Sequence, residues 1–75
     1  MQKGVYPVII MEGESGKYVS SCPAIDGCYS QGDSISEALE NIKEAIALCL
    51  EVMIERGEPI PVATTTLLSE VAVEV

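Results

Sequence analysis

The stretch GDSISEALENIKEAIALCLEVMIERG, residues 32–57, holds the clearest structural signal in the sequence. Ser34 followed by Glu37 has the spacing of a capping box, in which each side chain accepts a hydrogen bond from a free N–H of the first helical turn. Gly57 is a natural helix stop, and prolines that cannot continue a helix follow it closely. We therefore predict one helix over about residues 35–56.

The apolar residues of this segment fall into two groups around the predicted helix. The first group follows helical spacing and predicts a face packed on a sheet: Ile35, Ala38, Leu39, Ile42, Ala45, Ile46, Cys49, Val52 and Met53. The second group lies round from the first: Ala47, Leu48, Leu50 and Ile54. Because one apolar face is enough to cover a small sheet, the second group needs another cover, either the rest of the chain or another subunit.

Upstream of this helix, the chain alternates between strand patterns and turn patterns. Residues 5–11 (VYPVIIM) are apolar and rich in β-branched side chains, and residues 17–22 (KYVSSC) follow after a glycine-bounded polar turn. Together they predict a hairpin of two antiparallel strands. The sequence PAIDG then breaks the pattern as a turn, and residues 28–31 predict a short third strand.

The C-terminal sequence SEVAVEV shows strict strand alternation, in which Val71, Val73 and Val75 share one side. Such a strand can return to its own sheet or add to the sheet of another subunit. The element order predicts a single α+β domain over residues 1–75. Its two layers are an antiparallel sheet of three to four strands, in the order β-β-β-α-β, and one long helix.

The charge balance indicates which partners the chain can bind. It has 12 acidic and 4 basic residues, for a formal net charge of −8. Such a chain repels phosphate backbones, so we expect no direct binding to nucleic acid, and it attracts basic proteins. A core built from only 75 residues is marginal, and the hydrophobic content of 48% favours self-association as a dimer or tetramer.

The sequence offers few groups for catalysis. It contains no histidine, the commonest general base and metal ligand in proteins, and its serines have no evident base to activate them. The spacing of Cys22, Cys28 and Cys49 is not that of a zinc site, and cysteines of this kind are more often small buried hydrophobes. We therefore expect a protein that is not an enzyme and that binds no metal or other cofactor.

Carboxylates leave one catalytic alternative open, because clustered carboxylates hold Mg²⁺ in metal-dependent nucleases. The candidates flank the predicted strands and are Glu12, Glu14, Asp26 and Asp33. However, Asp26 lies in an Asp-Gly turn and Asp33 stands next to a helix start, where carboxylates commonly serve structure. We favour the structural role.

The sequence also bears on the compartment. No apolar run reaches the length that spans a membrane, and no signal peptide precedes Gly4. The cysteine count of 3 is odd, which argues against a complete set of disulfides. We therefore expect the protein in the reducing cytoplasm, with no membrane partner.

The middle of the chain resembles the HicB-like antitoxin domain of bacteria and archaea. The resemblance covers about residues 5–63 and rests on a joint spacing of prolines, glycines, polar residues and helix residues. The matching positions are Pro23, Ile25, Gly27, Cys28, Ser30, Gly32, Asp33, Ser34, Glu37, Ala38, Asn41, Glu44 and Ala45.

This resemblance implies a fold and a function. The implied fold is a truncated RNase H-like sheet with one long helix. Members of the family neutralise HicA, a small basic toxin that cleaves mRNA with a histidine, by docking on the toxin and covering that histidine. Many members carry a further DNA-binding domain, and since this sequence ends at Val75 we expect none here.

Two function hypotheses follow for the chain. The first is an antitoxin-like binding protein that neutralises a HicA-type toxin, with partner-binding candidates Glu12, Glu14, Asp26, Tyr29 and Asp33. The second is a stand-alone oligomeric scaffold or regulatory module without a toxin. For self-association, the candidate residues are Ala47, Leu50, Ile54, Val71, Val73 and Val75.

Overall fold

Three short strands and one long helix form two layers in the part of the chain that the structure describes. The computed structural model describes residues 4–61, 69 and 71–74. The elements are β1 (Ile9–Glu12), a single 3-10 turn (Glu14–Gly16), β2 (Tyr18–Ser21), β3 (Tyr29–Gly32) and α1 (Ile35–Glu55). The strands form one antiparallel sheet in the order β1-β2-β3, and α1 packs across one of its faces. The predicted α+β class is confirmed.

The ends of α1 follow the local signals of the sequence. At the start, the Ser34 hydroxyl accepts a hydrogen bond from the Glu37 N–H at 3.1 Å. The reciprocal bond of the capping box is shifted by one residue, because the Glu37 carboxylate accepts from the N–H of Asp33, at 3.3 Å, and not from that of Ser34. At the end, Gly57 adopts a φ of 70°, and the Glu58 N–H donates to the Met53 carbonyl at 2.9 Å. This is the Schellman closure that favours glycine.

The first strand is shorter than the sequence predicts. The expected strand over residues 5–11 begins only at Ile9, because Pro7 has no N–H to donate to a ladder. The segment before Ile9 instead contacts the chain beyond the helix, where the Tyr6 hydroxyl donates to the Pro61 carbonyl at 2.9 Å.

The predicted fourth strand is not found in the described part of the tail. Residues 71–74 form no strand, and Val71 and Val73 are 82% and 75% exposed. A strand needs a neighbour for its N–H and C=O groups, and the described tail residues have none within this single chain. Val75 lies outside the described residues. The described sheet therefore has three strands.

The core lies between the sheet and the first half of α1. Its buried hydrophobic residues are Cys22, Ile25, Cys28, Ala38 and Ile42. Two contacts fix the distance between the layers. The fully buried Ser20 hydroxyl donates to the Ala38 carbonyl at 3.1 Å, and the Asn41 side-chain amide donates to the Gln31 carbonyl at 2.7 Å.

The core-facing group predicted on the helix is only partly correct. Ile35, Leu39 and Val52 were expected on the sheet but are 53%, 47% and 40% exposed, whereas Leu50, expected on the second stripe, packs against the core. For Val52, in the last turns of α1, the reason is a mismatch of size. A helix of 21 residues is roughly 30 Å long, while strands of 4 residues extend only about 13 Å, so α1 overhangs the sheet.

Candidate protein-binding surface

The sheet face opposite α1 is uncovered by the described part of the chain. Ser20 points toward the helix, so its neighbours Val19 and Ser21 point away from it. The strand register extends this outward set into two rows across the sheet. The rows are Met11–Val19–Gln31 and Ile9–Ser21–Tyr29, and we call these side chains the open sheet face.

The open sheet face is largely apolar in spite of its exposure. Met11 is 67% exposed, Val19 42% and Tyr29 68%. Methionine and tyrosine are enriched in protein–protein interfaces, and an exposed tyrosine is a common centre of binding energy. A contiguous apolar patch of this kind on a small protein usually marks a contact surface.

The predicted acidic partner-binding residues stand at both ends of the sheet. Glu12 ends β1 and Glu14 follows in the first turn, at the same end as Asp33, whose carboxylate lies 3.9 Å from the Lys17 ammonium. Asp26 lies in the turn between β2 and β3, at the opposite end. All four carboxylates belong to exposed residues. Their binding role stays a prediction, and the structure adds their position at the two ends of the sheet.

The separation of these carboxylates argues against the nuclease alternative. The two groups of carboxylates are separated by the length of the sheet, roughly 13 Å for strands of 4 residues. A two-metal nuclease needs its carboxylates around one pair of ions. Within residues 4–61, 69 and 71–74, no three groups of the kinds that ligate metals come together.

The three cysteines are free thiols that serve packing. Cys22 and Cys28 are buried, and the Cys22 N–H donates to the Cys28 carbonyl at 3.1 Å, which continues the β2–β3 pairing by one residue. Burial, together with a hydrogen bond and charge interaction with the half-buried Cys49, raises the pKa of Cys28 from 9.0 to about 11. Its thiol therefore stays protonated and unreactive at neutral pH.

The predicted self-association residues are only partly available on the surface. Ala47 and Ile54 are exposed on α1, and Val71 and Val73 are exposed in the tail. Leu50 is half-buried against the core. Their role in an interface stays a prediction. In the described part of the chain, no helix is both long and apolar enough to cross a membrane.

The sequence predicts Tyr29 as a partner-binding residue but not Met11 or Val19. The sequence does contain a signal for Val19. In the alternating strand pattern of residues 17–22, Val19 and the core-facing Ser20 point to different faces of the sheet, and a single helix covers only one face. Met11 can be assigned to this surface only from the strand register, which pairs it with Val19.

Comparison with known proteins gives consistent matches over most of the chain. The model of a family described as HicB-like antitoxin of bacterial toxin-antitoxin system matches residues 6–74. A UPF0150 protein of Synechocystis sp. is 43% identical over 56 residues, which are 75% of this chain and 71% of that protein. A UPF0150 protein of Thermoplasma acidophilum is 48% identical over 56 residues, which are 75% of this chain and 81% of that protein.

Solved structures give the same result. The N-terminal domain of the Burkholderia pseudomallei antitoxin HicB is similar with a TM-score of 0.72 and 31% identity, over 81% of this chain and 72% of that chain. A chain of the HicA3 and HicB3 toxin-antitoxin complex is similar with a TM-score of 0.67 and 30% identity, over 81% of this chain and 70% of that chain.

Proposed function

The chain belongs to the HicB-like antitoxin family, and on that premise we propose that it binds a small basic HicA-type ribonuclease and neutralises it by covering its active site. The observation that carries the proposal is the open sheet face, an apolar surface flanked at both ends by carboxylates. A complex of HicA3 and HicB3 that contains a similar chain supports a toxin as the partner.

Electrostatics favours such a partner. The net charge of −8 attracts a basic protein from a distance and speeds the encounter. The carboxylates of Glu12, Glu14 and Asp33 at one end of the sheet, and of Asp26 at the other, add to that attraction at the two ends of the sheet. The same charge disfavours competition by RNA, the substrate of the toxin.

The contact itself depends on apolar side chains. Met11, Val19 and Tyr29 lose their solvent exposure when a partner covers the sheet, which supplies the hydrophobic free energy of binding. Inhibition by covering an active site needs no catalytic group on this chain, so we propose a binding protein and not an enzyme. We place the encounter in the cytoplasm, where free thiols stay reduced.

Charge reversal tests the electrostatic part of this proposal. We expect Glu12→Lys/Glu14→Lys to lower the association rate constant with the toxin about tenfold at low ionic strength, because local attraction at the sheet end is reversed. The matched control is Glu51→Lys/Glu55→Lys, which changes the net charge equally at exposed positions of α1. Equal rates for the two variants, measured by stopped-flow fluorescence, would contradict the assignment.

Purification from native cells tests the existence of the partner. A tagged chain is isolated under gentle conditions, and the proteins that accompany it are identified by mass spectrometry. The proposal expects one small basic protein in stoichiometric amount, released only by denaturant. A homo-oligomer with nothing attached would favour the alternative, a stand-alone oligomeric scaffold or regulatory module.

A further inference from the structure

All three cysteines of the chain meet between the sheet and α1. Cys22 and Cys28 flank the turn of residues 23–27, and the Cys22 N–H donates to the Cys28 carbonyl at 3.1 Å. Side chains that face each other in this way point to the same side of a sheet, and here both are buried. Cys49, on α1, packs against the same buried cluster, and its side chain is hydrogen-bonded to that of Cys28.

The three thiols differ in their access to solvent. Cys22 and Cys28 are each 2% exposed. Cys49 is half-buried and lines an open groove between α1 and the turn of residues 23–27. Cys28 also keeps its proton, because burial and the neighbouring thiols raise its pKa from 9.0 to about 11. A small oxidant that arrives from solvent therefore meets the Cys49 sulfur first.

Cys28 is better placed than Cys22 to form a disulfide. The side-chain hydrogen bond puts the sulfur of Cys28 in direct contact with that of Cys49. Cys22 and Cys28, in contrast, form a hydrogen-bonded antiparallel pair. The Cβ atoms of such a pair are up to about 5.5 Å apart, whereas a disulfide needs about 3.5–4.5 Å.

We propose that Cys49 is an oxidation site for peroxides and that its product is a reversible disulfide with Cys28. The Cys49 sulfur attacks the peroxide, an S–O bond forms, the O–O bond breaks, and the other oxygen takes the Cys49 proton and leaves as water or an alcohol. The Cys28 sulfur then attacks the Cys49 sulfur. The S–S bond forms, the S–O bond breaks, and the hydroxyl takes the Cys28 proton and leaves as water. The electrons that the two thiols lose reduce the peroxide, and a cellular thiol reverses the reaction by exchange.

This disulfide joins the residue before β3 to the second half of α1 and so clamps the sheet to the helix. It closes a loop of about 20 residues, which restricts the unfolded chain and stabilises the folded one. Disulfides of cytosolic proteins are usually transient and redox-sensing, which fits a bond that forms only after oxidation. The clamp makes the chain more resistant to unfolding under oxidising conditions, and it does not depend on a toxin.

Mass spectrometry of the oxidised chain tests the site. The reduced, unmodified chain is treated with hydrogen peroxide, and the remaining thiols are blocked with N-ethylmaleimide. Trypsin and a protease that cleaves before aspartate then place each cysteine on its own peptide. We expect one crosslink, between the peptides of Cys28 and Cys49 of a single chain, that dithiothreitol removes. A crosslink of Cys22 with Cys28, a crosslink between chains, or sulfinic acid without any crosslink would overturn the proposal.

Two matched variants test the roles of the thiols. Cys22→Ala should form the crosslink at the rate of the unmodified chain, whereas Cys49→Ala should form no disulfide, and circular dichroism checks that both remain folded. In Cys28→Ala, dimedone, a reagent for sulfenic acids, should label Cys49 after peroxide treatment. Disulfide formation in Cys49→Ala, or the absence of a dimedone adduct in Cys28→Ala, would show that Cys49 is not the oxidised thiol.

Urea denaturation tests the clamp. The oxidised, unmodified chain should have a denaturation midpoint about 1 M or more above that of the same chain after dithiothreitol. Cys49→Ala serves as the control, and its midpoint should be the same before and after peroxide. An equal or lower midpoint for the oxidised, unmodified chain would show that the disulfide does not clamp the two layers.

Discussion

At the scale of single residues, small side chains bring the helix close to the sheet. Ser20 is fully buried and bonds the Ala38 carbonyl, and Gly32 lies directly under the first turn of α1. A Cβ added at Gly32 would lie 2.5 Å from the Ala38 nitrogen and 2.8 Å from the Glu37 carbonyl carbon. The close approach of the two layers therefore requires glycine at this position.

Replacement of Gly32 tests this close approach. We expect Gly32→Ala to lower the free energy of unfolding by about 1–3 kcal/mol, because the methyl group must displace helix backbone. The control is Gly13→Ala, where a Cβ would meet its nearest atoms at 3.4 and 3.5 Å and φ is −98°. Urea denaturation should show Gly13→Ala to be neutral or slightly stabilising. Equal losses in the two variants would contradict the packing account.

The buried thiol of Cys28 makes stability depend on alkaline pH. Its pKa is raised to about 11 from 9.0, so the folded state holds its proton where the unfolded chain releases it. The contribution of the protonated Cys28 thiol to the free energy of unfolding is complete below pH 9 and is lost as the pH rises toward 11. Urea denaturation under reducing conditions should therefore give a steeper fall of stability across this range for the unmodified chain than for Cys28→Ala. Identical slopes would show that the Cys28 thiol does not contribute.

The burial of some residues can be predicted from the sequence, whereas the pKa values and contacts of others cannot. Burial of Cys22 and Cys28 follows from ordinary cysteine behaviour, and the structure agrees. The raised pKa of Cys28 could not be predicted, because it depends on contact with Cys49 from the distant helix. Gly32 likewise matches the family pattern in sequence, but its contact with the Ala38 backbone is visible only in three dimensions.

At the scale of the elements, the signals that begin and end α1 are local, and the sequence predicts both ends to within one residue. The helix begins at Ile35 as expected and ends at Glu55, one residue before the prediction. The cap at Ser34 and the glycine stop involve only neighbouring residues, so the sequence contains them completely. The contact of Tyr6 with Pro61 and the exposure of Leu39 depend on parts of the fold that are distant in sequence.

The helix cap can be tested directly. We expect Ser34→Ala to cost about 1 kcal/mol of stability, because the Glu37 N–H loses the hydroxyl that accepts its hydrogen bond. Ser36→Ala is the control, since Ser36 is exposed inside the helix, where alanine is favourable. The two variants are compared by thermal and urea unfolding. A loss for Ser36→Ala as large as that for Ser34→Ala would exclude a specific capping role.

At the scale of the whole molecule, α1 covers one face of the sheet, and the other residues that the structure describes leave the opposite face open. The two-layer class followed from the element order, and Tyr29 and the acidic residues were predicted from type and charge. The open sheet face as a surface was not predicted, because Met11, Val19 and Tyr29 meet only through the strand register. The RNase H-like relationship of the sheet stays a prediction.

Inhibition of RNA cleavage is the direct test of toxin neutralisation through the open sheet face. The small basic ribonuclease that copurifies with the chain is titrated with the unmodified protein, with Met11→Asp/Tyr29→Asp, and with Leu39→Asp/Ile54→Asp as a control of equal charge on exposed helix positions. We expect the unmodified chain and the helix variant to abolish cleavage at one chain per toxin. The sheet variant should leave cleavage active, although its added negative charge favours attraction. Full cleavage in excess unmodified chain, or full inhibition by the sheet variant, would contradict the account.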